Sequence, residues 1–339
     1  MPQKIAIIRF SALGDVAMLL PILRILKIKY PHLKIDVYTK KPFAQIFDLI
    51  NVNAIGIDFK TSYKNILGLK KLASKIDYEN YDAVLDLHVV LRTFILDIFC
   101  ASKFYKMDKG RAEKKKMINL KHRPDKALPS MHKRYADVFE SAGLPIDINT
   151  TLEPLHFKKL DKLPFDIQFD KPVIGIAPFS AHKSKEYPIE LMLEVINILK
   201  QKNQIDILLF GGGKYETEKL KSLAANFDHV YSTAGIMSLS NQIKWMTRLK
   251  LLISMDSGNA HLAAAMNVSV VSVWGVTHPY LGFKPFNQPM QNQILPDARK
   301  YPKIPVSAFG KTKDQKYANA IESIEPKKIV EKVINLLAY

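Results

Sequence analysis

Short runs of consecutive apolar residues alternate along this chain with segments whose apolar positions recur every three to four residues. Runs of the first kind mark strands buried on both faces, and the longer period is that of amphipathic helices packed against them. The first run, 4–10 (KIAIIRF), predicts a strand, 11–15 (SALGD) a loop, and 16–30 a helix that Pro31 stops. A second strand over 34–38 (KIDVY) completes a βαβ unit. Its loop lies at the carboxyl end of the first strand, where open α/β sheets bind ligands. A helix start over 42–48, a strand over 54–58, a helix over 62–75, a strand over 81–87 (YDAVLDL) and a helix over 132–142 continue the alternation.

The pattern lapses over 147–170, a stretch rich in Pro and Lys that predicts a linker. It restarts with strands over 172–177 (PVIGIA), 205–210 (IDILLF), 251–255 (LLISM) and 268–273, separated by helices. A chain of 339 residues exceeds what one core usually fills. Two domains are therefore expected, 1–160 and 171–320, with an irregular proline-rich segment over 282–305 and an amphipathic helix over 326–338.

Composition narrows the class. An apolar share of 47% with 24% charged residues is that of a globular protein, and the single cysteine, Cys100, excludes an internal disulfide and favours a reducing compartment. The opening apolar stretch is too short for a signal peptide, and no run approaches the roughly 20 apolar residues of a membrane span. The expectation is a cytoplasmic protein whose membrane contact is peripheral. A formal charge of +18 calls for an anionic partner, and ten basic against three acidic residues crowd into 103–126. No aromatic residue lies between Lys106 and Arg123, which argues against nucleic acid as that partner.

The segment 251–266 (LLISMDSGNAHLAAAM) organises the second half: Asp256, Ser257 and Gly258 break a strand and open an alanine-rich helix with His261 in its first turn. Asp256 or Ser257 is a cap for the free amides, Gly258 allows close approach, and such a helix start suits a phosphate. The same residues suit a capped core helix with a surface histidine. Asp15, likewise, suits an N-cap for a helix beginning at Val16 or a carboxylate base. With one glycine, the 11–15 loop is no dinucleotide fingerprint, so a dehydrogenase is a poor fit.

Two runs resemble the terminal motifs of glycosyltransferase family 9, which contains the ADP-heptose:lipopolysaccharide heptosyltransferases. They are R-F-S-A-L-G-D-V-A at 9–17 followed by Pro21, and D-S-G-N-A-H-L-A-A-A at 256–265 followed by Trp274-Gly275-Val276-Thr277. The resemblance covers nearly the whole chain. It implies an α/β fold of GT-B architecture, two Rossmann-like domains with parallel sheets facing a central cleft, the helix over 326–339 packing back on the first domain.

The activity it implies is metal-independent, inverting transfer of a heptose from ADP-heptose to a lipopolysaccharide inner-core, lipid A-linked acceptor, with Asp15 as general base and Lys185 at the leaving phosphate. By the same resemblance the donor nucleotide falls to Ser180, Lys183 and Lys185 in one loop, to Glu216 at the ribose, and to Asp256, Ser257, Gly258 and His261. The acceptor falls to Ser11 and Gly14, to His88 and Arg92 in the D-L-x-x-x-x-R-T segment 86–93, and to Lys109 and Arg111. Neither a metal nor a cofactor is implied, since the nucleotide sugar is a substrate. The implied partners are that sugar, an anionic lipid-linked saccharide and the cytoplasmic face of the inner membrane, with no nucleic acid. Taken alone, the residues leave His88 open as a core histidine, Arg92 as a helix-surface charge and Glu216 as a favourable first-turn charge. Ala181 and Tyr187, the latter where tryptophan is more usual, depart from the family pattern. The alternatives are a transferase using another nucleotide sugar on a different envelope glycan, or a non-catalytic basic binding protein.

Overall fold

The computed structural model describes residues 1–157, 160, 162, 165, 167, 171–202 and 205–338. Part of the predicted 147–170 linker, at positions all past residue 157, lies outside the described residues. The chain forms two compact units, one of residues 1–111 and 129–152, the other of 112–128 and 153–339.

The first unit holds β1 (Lys4–Ile8), β2 (Lys34–Lys40), β3 (Asn53–Ile57), β4 (Ala83–Asp86) and β5 (Phe104–Lys106) in the parallel order β3-β2-β1-β4-β5. Ile5 of β1 stands opposite Ile35 of β2 and Ala83 of β4. In the second unit, β6 (Val173–Ala177), β7 (Asp206–Leu209), β8 (Val230–Ser232), β9 (Leu251–Met255), β10 (Ser269–Val273) and β11 (Gln293–Ile294) take the parallel order β11-β10-β9-β6-β7-β8. The central strands β1, β4, β6 and β9 are apolar on both faces because helices cover both, and Ile5, Ile7, Ile174, Ile176, Leu251 and Ile253 are buried.

Helix boundaries follow local chemistry. The helix predicted over 16–30 divides into Leu13–Ala17 and Leu19–Lys29, because Pro21 has no N–H to bond the carbonyl one turn earlier. The helix expected from residue 62 begins at Ile66, where the Asn65 side chain accepts the Gly68 amide at 2.9 Å.

Two expected placements are corrected. The C-terminal helix, Pro326–Leu337, expected on the first domain, buries Ile329, Val330 and Val333 in the second core with Ile174, Ile196 and Val271. Residues 112–128, expected within a 1–160 domain, belong to the second unit. Arg123 fixes them there by donating to the carbonyls of Lys303, Ile304 and Pro305, while the Leu128 amide donates to the Tyr280 carbonyl at 2.9 Å.

Candidate functional site

In the first unit the strand order reverses between β1 and β4, the place where loops leaving a parallel sheet bind ligands. Arg9, directly after β1, is buried and needs both acceptors and a counter-charge. It finds them in the Leu87 carbonyl, 2.5 Å from Nη1, and in Asp15 Oδ2, 2.5 Å from Nη2. Asp15 Oδ2 also accepts the Ala12 amide at 3.2 Å, and the Asp15 carbonyl accepts the Tyr135 hydroxyl at 3.0 Å. Asp15 is therefore not the N-cap expected before Val16. It stands on the third residue of its helix, held from three sides, with its side chain a quarter exposed. Ser11 and Gly14 share this loop and helix start, both half-buried.

The loop after β4 brings up the second group. Asp86, buried at the strand end, accepts the amides of His88 and Val89 at 2.9 and 2.8 Å and so sets the turn in which Val89 takes φ +46°. That turn seats the His88 ring edge-on against Phe10 at 5.5 Å, with Nδ1 buried and unpaired among the described residues. Phe10 in turn meets Phe59 at 4.7 Å, and the exposed Arg92 guanidinium lies 4.8 Å over Phe59. One aromatic row thus links His88 to Arg92. Lys109 is half-buried, its pKa lowered by burial and then by Arg9. The Arg134 guanidinium occupies the space a Cβ at Gly110 would need and donates to the Asp108 carbonyl at 3.3 Å, so the loop carrying Lys109 has a fixed floor. Arg111 is exposed at the start of the next helix.

Burial, then the charges of Arg9 and Lys109, push His88 down to about 3, so the imidazole is neutral at pH 7. Its folded pKa lies below the ordinary 6.5, and unfolding takes up a proton as pH falls from about 6.5 toward 3, so stability is lost across that window. A His88→Gln chain is expected to show a shallower fall in melting temperature between about pH 6.5 and 4.5 than the wild type, measured by thermal denaturation followed by circular dichroism.

The second unit repeats the arrangement at its own reversal, between β6 and β9. Lys185, in the loop after β6, places Nζ 2.8 Å from Asp256 Oδ2, and the Thr277 hydroxyl donates to the same oxygen at 2.7 Å. Ser180 donates through Oγ to the Asp256 carbonyl at 3.2 Å, while its amide donates to Glu186 Oε1 at 3.1 Å. The loop has little room to shift, because the Ser184 carbonyl sits where a Cβ on Gly275 would fall. Lys183 is exposed on its outer side.

The capping expected of Asp256 or Ser257 does not occur. Asp256 is committed to Lys185 and Thr277. Ser257 takes the N-cap backbone position, but its hydroxyl pairs with Ser254 at 3.1 Å and caps no amide. The first-turn amides of the Gly258–Ala265 helix therefore lack a cap from the N-cap side chain, the condition that leaves them open to an anion. His261 lies in that turn and is buried, not the surface histidine the residues alone allowed. Glu216, in the first turn of the Gly213–Ala224 helix, accepts the Gly212 amide at 2.8 Å, and burial raises its pKa.

Each unit thus gathers its predicted residues at one strand-order reversal: Ser11, Gly14, Asp15, His88, Arg92 and Lys109 in the first, Ser180, Lys185, Asp256, Ser257, Gly258 and His261 in the second. Arg9, Asp86, Tyr135, Glu186 and Thr277, which hold these groups, were not legible as site residues. Arg9, Asp86 and Thr277 do fall within the motif runs at 9–17, 86–93 and 274–277, but nothing in those runs marked them as the groups that hold the others.

Residues 69–307 match the family model of Glycosyltransferase family 9 (heptosyltransferase). The chain is 26% identical over 295 residues to the lipopolysaccharide core heptosyltransferase OpsX of Haemophilus influenzae, covering 84% of this chain and 82% of that one. A solved family 9 glycosyltransferase from Veillonella parvula superposes with TM-score 0.76 at 20% identity, over 99% of this chain and 97% of that one. The E. coli heptosyltransferase WaaC, solved with ADP, gives TM-score 0.72 at 20% identity over 98% and 99%. These likenesses show the fold, the GT-B fold that the sequence resemblance implied.

Proposed function

Because the chain belongs to glycosyltransferase family 9, we propose that it transfers a heptose from ADP-heptose to a lipopolysaccharide inner-core acceptor by a single inverting displacement. The observation that supports this reading best is the Lys185–Asp256–Thr277 cluster beside a helix start whose amides its N-cap side chain leaves open. A leaving nucleoside diphosphate gains negative charge in the transition state, and a preorganised cation with open amides stabilises that charge without reorganisation. The relative solved with ADP supports adenine as the base. Glu216, with one carboxylate oxygen on the Gly212 amide, takes the ribose hydroxyls.

In the first unit Asp15 removes the proton of the acceptor hydroxyl as that oxygen attacks the anomeric carbon. Arg9 fixes the Asp15 carboxylate, while His88, Arg92, Lys109 and Arg111 orient the acceptor. Lys185 and the helix amides supply the positive charge, so the reading takes no metal. It also places the enzyme at the cytoplasmic membrane surface, where a lipid-linked acceptor is found.

Calorimetric titration with ADP, GDP and UDP in the presence of a chelator tests the donor assignment. ADP is expected to bind at least about tenfold tighter than the other two, a difference of about 1.4 kcal/mol. Equal affinities, or no binding, would overturn it.

A further inference from the structure

The Leu91–Phe99 helix is apolar on two faces, Leu96 and Ile95 packing into the core while a second set points outward. Thr93 and Leu96 are buried, whereas Leu91, Phe94 and Ile98, spaced three and four apart on one side, are 75%, 55% and 61% exposed. Phe99 extends the stripe at 40%. Beside it runs the Ile66–Tyr78 helix, whose first residues, Ile66 and Leu67, are 61% and 76% exposed. A contiguous apolar stripe turned to solvent lowers solubility and marks a surface that something covers.

Charge identifies the occupant. The stretch 60–75 holds five lysines, all exposed, and no acidic residue. Lys70 reaches over the Phe99 ring at 5.9 Å, so cation and apolar stripe meet on one face. Asp97, the carboxylate on the exposed helix, is already paired with Lys106 at 2.5 Å. A second copy of the chain meeting this face symmetrically would set lysines against lysines. A bilayer surface carrying anionic headgroups accepts both the lysines and the apolar side chains. At nine residues the helix is about 13 Å long, far short of a span, and would lie in the interfacial plane.

We propose that the Leu91–Phe99 helix and the lysine-rich start of the Ile66–Tyr78 helix form a docking surface for anionic phospholipid. This deepens the acceptor reading and rests on it for its purpose: Arg92, one residue into the helix, ends the aromatic row that leads through Phe59 and Phe10 to His88. A membrane-held acceptor is thereby presented to the first unit from the side of its lipid.

Flotation of the full chain with vesicles of phosphatidylethanolamine and phosphatidylglycerol, and of phosphatidylcholine alone, tests the surface without using transfer. Wild type is expected to prefer the anionic vesicles by about tenfold or more, given about 1 kcal/mol for each lysine near the surface. The paired change Phe94→Ser with Ile98→Ser is expected to weaken binding about tenfold while leaving ADP affinity and melting temperature unchanged. Phe94→Trp is expected to shift its emission to the blue on adding anionic vesicles. Unchanged vesicle binding in the serine pair, or an unshifted tryptophan, overturns the proposal. So does a dimer in sedimentation velocity that the serine pair dissociates while wild type ignores vesicles. Failure of ADP binding with vesicle binding intact would instead strike the transferase reading and leave the surface standing.

Discussion

Asp15→Asn is expected to lower kcat for sugar transfer about a thousandfold, within the range general-base removal usually costs, with acceptor KM changed less than about threefold. Asn is the informative replacement because its side-chain oxygen still accepts from Arg9, whose Nη2 lies 2.5 Å from the Asp15 carboxylate. Alanine would leave a guanidinium that is 5% exposed with one acceptor, the Leu87 carbonyl, and would confound chemistry with folding. Since Asp15 lies in the first unit and the groups proposed to hold the nucleotide lie in the second, ADP affinity should be unchanged. Steady-state kinetics with saturating donor, paired with an ADP titration and a melt of the same sample, check all three expectations. Turnover by the Asp15→Asn enzyme within tenfold of wild type would assign the base elsewhere.

The ion pair with the buried Arg9 gives the Asp15 carboxylate its orientation. A carboxylate on a short helix after a strand has rotameric freedom. Here Arg9 and the Ala12 amide hold the carboxylate in one direction, and the Tyr135 hydroxyl on the Asp15 carbonyl fixes the backbone beneath it. Arg9 remains charged: burial opposes its charge, but Tyr135 and Asp15 outweigh burial and its pKa rises. The pair costs desolvation that hydrophobic residues would not, so its presence is better explained by positioning than by stability.

The alternation of apolar runs and helical periodicity made both sheets legible, because strands buried on both faces leave little choice of residue. The motif residues at the two strand-order reversals were legible through the family resemblance, since taken alone Asp15 suited an N-cap, Asp256 a helix cap and His88 a core position equally well. Membership of the units was not. Residues 112–128 follow the first unit's last strand, β5, in sequence, and what carries them to the second is Arg123 reaching carbonyls some 180 positions later, a contact with no local signature. The final helix shows the same limit: Ile329, Val330 and Val333 form an apolar face that suits either core equally well. The holding roles of Glu186 and Thr277 escaped notice for another reason. Each acts by holding a motif residue, Glu186 the Ser180 amide and Thr277 the Asp256 carboxylate, and polar loop residues that hold and polar loop residues that bind have the same composition.

Lys185→Ala is expected to lower kcat/KM by about 10² to 10³, as the loss of one preorganised anion-stabilising group commonly does. Two effects contribute, and the structure allows their separation. The first, on the proposed reading, is loss of the cation assigned to the leaving phosphate. The second is exposure of that phosphate to Asp256, whose carboxylate is 2.8 Å from Lys185 Nζ and only 8% exposed. Left with Thr277 alone, this buried charge should cost about 3 to 5 kcal/mol and about 10 °C in melting temperature. Adding Asp256→Asn removes the unpaired charge and keeps the Thr277 bond. The double variant should therefore melt near wild type, recover part of the ADP affinity by ending the repulsion, and still turn over at least about a hundredfold more slowly, because the helix amides are then left without the cation to offset the charge that develops on the diphosphate. A double variant that regains wild-type turnover would show that Lys185 serves only to neutralise Asp256, and the transition-state charge would have to be met by the uncapped helix amides alone.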